Sequence, residues 1–243
     1  GTTISIEGGT FINLADTPYV HGGGTPLTVN IDKNASDASA ILQVTGGTFI
    51  GRNPALGDDS VKTGNFIPDT VKLTLTYNEQ GEAVYTVLDA DAEVPEGTPA
   101  VYSVESGAVV ATVYTAEGLE EALAEGYATV YLGADITANI SVPAGRTLTL
   151  DLAGHTLTSN VENVATIYNE GDLTITSSSR GGAVTREATE AGGTESTYYV
   201  IRNEGKMTLE SSYLTVYNDN AADPSSVIGN NTGCRNSNPA SLT

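Results

Sequence analysis

An all-β solenoid, with short strands wound into coils that stack on one another, is the fold the sequence predicts, and three observations predict it. The composition favours strands and turns over helices: 27 Gly in 243 residues, 16% charged side chains, no Trp, and abundant Thr, Val, Ile and Asn. Segments of the chain also repeat. Ile4–Ile12 recurs as Leu42–Ile50, with Gly8-Gly9-Thr10-Phe11 returning as Gly46-Gly47-Thr48-Phe49 at an offset of 38 residues. Thr166–Ile175 recurs as Val200–Leu209, with Asn169-Glu170-Gly171 returning as Asn203-Glu204-Gly205 at an offset of 34. Within each copy the aliphatic residues alternate with a period of two, which sends them to one face of a strand. Such faces cannot be buried by one copy alone, so the copies must stack.

Residues 1–66 hold the first repeat pair, separated by a loop from about Asn13 to Thr25 that contains Gly22-Gly23-Gly24. Residues 67–114 differ. Lys72–Val87 alternates on both sides of Asn78-Glu79-Gln80-Gly81 and reads as a β-hairpin. Pro95 and Pro99 mark a linker, and strands over Val101–Glu105 and Ala108–Tyr114 turn at Ser106-Gly107. Residues 115–233 open with the one convincing helix, Ala116–Glu125, capped by Thr115, ended by Gly126 and striped by Leu119, Ala122 and Leu123. Strands follow at Thr129–Leu132, Asn139–Val142 and Thr147–Leu152, and then the second repeat pair with a polar loop over Arg186–Thr197. A third copy starts at Val227-Ile228-Gly229-Asn230. The tail, residues 234–243, fits no strand pattern and reads as a linker or disordered end.

The shared register of Asn169, Asn203 and Asn230 predicts an asparagine ladder at one turn of the stack. Asn tolerates the left-handed conformation, and its amide can bridge successive coils.

Charge and cysteine content exclude several functions. Thirty acidic against 10 basic side chains give a net charge of −20. That disfavours nucleic acid, whose phosphates need clustered Lys and Arg, and anionic membrane surfaces. No apolar run is long enough to insert in a membrane. The single Cys234 excludes an internal disulfide framework and a Cys-based zinc site. Gly1 followed directly by strand-like sequence reads as a processed, excised or recombinant start.

The stretch from Thr115 to about Gly205 resembles the start of right-handed parallel β-helix (pectate-lyase-like) domains in large repetitive bacterial surface proteins. The matching text is "TAEGLEEALAEGYATVYLGADIT", "ISVPAGRTLTLDLAGHTLT" and "IYNEGDLTI". In that family a short helix covers the open end of the first coil. Residues 1–88 resemble the last coils of such a domain, with "IEGGTF", "VTGGTF" and a terminal hairpin "LTLTYNEQGEAVYTVL". The resemblance implies right-handed parallel β-helix coils, an interrupting hairpin segment and one short capping α-helix. The end of a β-helix thus precedes the beginning of one. Either the chain crosses a boundary in a tandem array, or subunits assemble head to tail, each completing the next.

The same fold hosts pectate lyases and polygalacturonases, so catalytic groups need weighing. Cleavage of an acidic polysaccharide requires paired carboxylates, or calcium with a basic proton acceptor. Gly57-Asp58-Asp59 matches one short polygalacturonase motif, but no Gly-His-Gly or Arg-Ile-Lys segment accompanies it. His155 lies at a turn between strands, where a structural role is expected, and His21 precedes three glycines in a loop. Asp32, Asn34 and Asp37 begin like a calcium loop but lack its glycine and final Glu; Asn218, Asp219, Asn220 and Asp223 form a second oxygen-rich turn. In a chain with 30 carboxylates both read as solvated turns. Tyr198 and Tyr199 are adjacent, so in a strand they face opposite sides and make no sugar-stacking platform.

No residue is therefore assigned a catalytic, cofactor-binding or metal-ligating role. The expected function is non-enzymatic: a structural or adhesive module of an extracellular bacterial surface protein. Its expected partners are glycans, host proteins, or neighbouring modules and copies met through exposed coil ends. Two rivals stand. One is a polysaccharide lyase or glycoside hydrolase gathering carboxylates around Arg146, Arg180, Arg186 or Arg202; the other is a self-assembling head-to-tail fibre subunit.

Overall fold

A computed structural model describes residues 3–15, 27–29, 41–55, 66–161, 164–187, 199–218, 227–230 and 241–242. The class is all-β, with one helix among the described residues, and the chain forms two compact units, Gly1–Ala111 and Thr112–Thr243.

The first unit is built from β1 (Thr3–Ile12), β2 (Ile41–Ile50), β3 (Val71–Tyr77), β4 (Ala83–Asp89) and β5 (Ala100–Glu105), followed by β6 (Ala108–Val113), which runs into the second unit. The strand order is β1-β2-β4-β3-β5. β1 and β2 are parallel and pair the two repeat copies, Ile4 opposite Leu42 and Phe11 opposite Phe49, whose rings stack 4.9 Å apart. The register slips at Glu7, opposite Gly46, where a Cβ would sit 2.2 Å from the Glu7 carbonyl oxygen. Gly46 is therefore demanded by backbone approach. β3 and β4 form the expected hairpin, and the Asn78 carboxamide organises its turn by accepting from the Gln80 and Glu82 amides.

The hairpin of segment 67–114 continues the sheet that residues 1–66 begin, because β4 pairs antiparallel with β2. Pro95 and Pro99 lie in the connection between β4 and β5.

The second unit opens with α1 (Ala116–Ala124). The Gly118 amide donates to Thr115 Oγ1 at 3.1 Å, and Leu119 and Ala122 are buried. Twelve strands form four rounds: β7 (Thr129–Leu132), β8 (Ile136–Thr137) and β9 (Ile140–Val142); β10 (Thr147–Asp151), β11 (Thr156–Ser159) and β12 (Ile167–Asn169); β13 (Asp172–Thr176), β14 (Gly182–Arg186) and β15 (Ile201–Asn203); β16 (Lys206–Leu209), β17 (Leu214–Asn218) and β18 (Ile228–Asn230). β19 (Ser241–Leu242) follows. Sheet order groups this list into three sets: β7-β10-β13-β16-β19 lie side by side, as do β8-β11-β14-β17 and β9-β12-β15-β18. Among the described residues, the pairings within these sheets are parallel. Each round therefore visits three sheets in the same sequence.

Aliphatic columns run through the stack. Leu148, Leu173 and Met207 align, as do Leu150 and Ile175 with Val130, and all six are fully buried. Ile140, Ile167, Ile201 and Ile228 make a column in the third sheet. Full burial of one such side chain is worth about 1.5–3 kcal/mol, so each round adds a substantial favourable term. Round length varies while register holds: Thr129 to Thr149 is 20 residues, Thr147 to Asp172 is 25, and Asp172 to Lys206 is 34.

The expected strands at the starts of the repeats are present. The sequence pattern does not place β8, β11, β14 and β17 individually, because their apolar residues are few. Arg186, read as the start of a loop, instead ends β14 and is buried, its Nε donating to the Val164 carbonyl at 3.1 Å. The tail read as patternless contributes β19, pairing Ser241 with Lys206 and Leu242 with Met207. Two residues are too few for periodicity to reveal.

Candidate interaction surfaces

At the corner between the third and first sheets, the Asn169-Glu170-Gly171 and Asn203-Glu204-Gly205 repeats lie one above the other. Asn169 Nδ2 donates to Asn203 Oδ1 at 2.6 Å, and Asn203 Nδ2 donates to Asn230 Oδ1 at 2.6 Å. The expected ladder is present, with Asn169 and Asn203 fully buried. Each amide also serves its own turn: the Gly171 amide donates to Asn169 Oδ1, and Asn203 Nδ2 donates to the Gly205 carbonyl. The glycines let these corners touch, since a Cβ on Gly205 would fall 2.2 Å from the Gly171 carbonyl oxygen.

Beside the ladder, on the outward face of the third sheet, Tyr168 lies opposite Arg202. The guanidinium sits 5.2 Å from the ring centroid, a cation–π distance. Glu204, almost buried, joins them: Arg202 donates to its Oε1 through Nε at 2.9 Å and through Nη2, and Tyr168 Oη donates to Oε2 at 2.9 Å. Burial, then the hydrogen bond to Glu204 and the nearby charges of Glu170 and Glu204, push the Tyr168 phenol up to about 12. Tyr199 lies one round further along, packed so close to Gly229 that a Cβ there would meet its ring at 2.2 Å. Sequence reasoning named Arg202 but missed Tyr168 and Glu204. The signal was available, because residues between an inward Ile and an inward Asn must face outward in register.

The four arginines do not converge in contacts. Arg146 donates to the Leu123 carbonyl and, at 3.1 Å, to the Tyr127 carbonyl, placing a cation at the C-terminal end of α1, whose own last turn carries no basic residue. Burial lowers its pKa from the usual arginine value. Arg180 lies 5.1 Å over the Tyr213 ring, and Arg186 and Arg202 are engaged as described. His155 occupies the expected turn after Ala153 and Gly154, both with positive φ, and its Nδ1 is 3.6 Å from Asp135 Oδ1. His21, Asp32, Asn34, Asp37, Asp58, Asp59, Tyr198, Asp219, Asn220, Asp223 and Cys234 lie outside the described residues. Asn218 ends β17. Among the described residues no group of three His, Cys, Asp or Glu could hold a metal ion, and no helix is long and apolar enough to cross a membrane.

The terminal layers of each unit carry apolar surface. Ile4 is 55% and Ile12 64% exposed on β1, whereas Val44 and Phe49 on the adjacent β2 are fully buried. Leu214, Val216 and Asn218 on β17 are half-buried, while β14 beneath them is buried throughout.

No protein-family model matches the chain. No curated protein and no solved structure matches it either.

Proposed function

We propose that the second unit is a right-handed parallel β-helix of the pectate-lyase-like kind, with α1 as its cap and the first unit as the closing coils and hairpin of a neighbouring helix. In this reading the chain is a non-enzymatic structural and adhesive module of an extracellular bacterial surface protein. The carrying observation is the fixed cyclic visit of each round to three parallel sheets, locked in register by the Asn169–Asn203–Asn230 ladder. A stack of this kind forms a stiff support whose corner segments vary in length without disturbing the core. Its net charge of −20 keeps the surface hydrated. Corner segments and outward columns such as Tyr168–Arg202 then face glycans, host proteins or adjoining modules.

A carbohydrate-active enzyme is the rival reading, and its best seat is Arg202 with Glu204 and Glu170. The same purified chain decides between them. Incubation with a panel of acidic polysaccharides is expected to yield neither unsaturated nor new reducing-end products, while immobilised glycans or host extracellular proteins retain the chain. Product formation that disappears in Glu204→Gln overturns the module reading.

A further inference from the structure

On the outward face of the third sheet one column runs Ser141, Tyr168, Arg202, Gly229, each residue opposite the next in parallel register. Neighbouring strands stand about 4.8 Å apart, so the column spans about 14 Å. Its two outer members have a small side chain or none, and the fold treats them differently. Over Gly229 the chain lays one of its own rings, since a Cβ there would meet Tyr199 at 2.2 Å. Ser141 instead is exposed between the buried Ile140 and Val142, beside the half-buried Tyr168. The column therefore reads ring, guanidinium, ring and then a gap.

Tyr168 is braced beside that gap. Arg202 sits 5.2 Å from its ring centroid; Tyr168 Oη donates to Glu204 Oε2 at 2.9 Å, and Arg202 Nε donates to Oε1 of the same carboxylate at 2.9 Å. Glu204 is 7% exposed, so it holds both side chains rather than meeting a ligand itself. A ring fixed in this way loses little freedom when something stacks on it.

We propose that the gap over Ser141 is a sugar-binding subsite, where a neutral oligosaccharide stacks one ring on the side of Tyr168 away from Arg202. The inference deepens the module reading above, on which it rests, by naming the ligand. A pyranose presents a patch of C–H groups to an aromatic face and hydroxyls around its rim, which suit a tyrosine bordered by a carboxylate and a guanidinium. Charge selects the class. Glu170 and Glu204 both act on Tyr168 against the one cation of Arg202, and the chain carries −20 overall, so uronate and sialate sugars meet repulsion. A protein ligand anchors its side chains in enclosed pockets, whereas Ser141 lies open.

Isothermal titration with cellohexaose, mannohexaose and chitohexaose tests the site, with oligogalacturonate as the anionic control. At least one neutral probe should bind, and oligogalacturonate should not. Ser141→Tyr fills the gap with a ring of the chain's own and should abolish that binding at an unchanged urea midpoint. Tyr168→Ala should weaken it about tenfold, the scale of one lost aromatic contact, while Tyr168→Phe keeps most of the affinity. Binding that survives Ser141→Tyr, or failure of every neutral probe, overturns the subsite and leaves the module reading intact. Binding of oligogalacturonate alone overturns the assigned class. Capture by immobilised fibronectin that Ser141→Tyr removes, with no sugar bound, replaces the glycan by a protein. Cleavage of any probe would instead remove the module reading.

Discussion

Asn169 and Asn203, 34 residues apart in sequence, meet through one 2.6 Å hydrogen bond in the buried interior of the second unit. The bond joins two copies of one turn. Asn203 in turn donates to Asn230, so the middle member of the ladder serves both neighbours.

Asn203→Ala should therefore destabilise the second unit by about 1–3 kcal/mol, the cost of leaving buried amide groups without partners. Urea denaturation measures it as a lower midpoint at unchanged slope. In a double-mutant cycle with Asn169→Ala the two losses should be less than additive, because either change removes the same bond. Strict additivity would mean the bond contributes nothing.

Gly205→Ala should cost about 1–3 kcal/mol through overpacking, since its Cβ would strike the Gly171 carbonyl oxygen at 2.2 Å. Gly8→Ala is the matched control, with no heavy atom within 4 Å of the added carbon. Thermal melts should separate the two variants clearly.

Arg146→Gln should loosen the end of α1, because the guanidinium bonds the Leu123 and Tyr127 carbonyls and supplies the cation the helix lacks. Arg146→Lys should recover little, since an ammonium cannot reproduce the planar fork. Hydrogen exchange at Glu125, Gly126 and Tyr127 should accelerate in both.

Tyr168 titrates late. Its phenol is held at about 12 rather than the ordinary 10.0, so its neutral form favours the folded state. That contribution is complete below about pH 10 and is lost as pH rises through about 12. Ultraviolet titration of the folded chain should show a late-ionising tyrosine that Tyr168→Phe removes. A difference spectrum centred near pH 10 would contradict the assigned environment.

The columns were legible in the sequence because they rest on period-two spacing and a duplicated Asn-x-Gly corner. Both survive reading in one dimension, and Ile167 duly pairs with Ile201. The hairpin and α1 announced themselves through Asn78 and Thr115, whose side chains act locally. β8 was hidden because two residues, Ile136 and Thr137, make a strand only when Leu157 and Thr158 lie beside them. Arg186 misled for the opposite reason: a guanidinium signals solvent in sequence, and its burial depends on a carbonyl 22 positions away. The Tyr168–Arg202–Glu204 cluster likewise needs two rounds superposed before its members become neighbours.

The unequal rounds have a practical consequence. Thr129 to Thr149 takes 20 residues and Asp172 to Lys206 takes 34, yet the inward columns stay aligned. Corner length is thus decoupled from strand register, and a foreign peptide grafted at a long corner should leave the paired strands undisturbed. The same latitude would let the connections between strands diversify while the paired columns are kept.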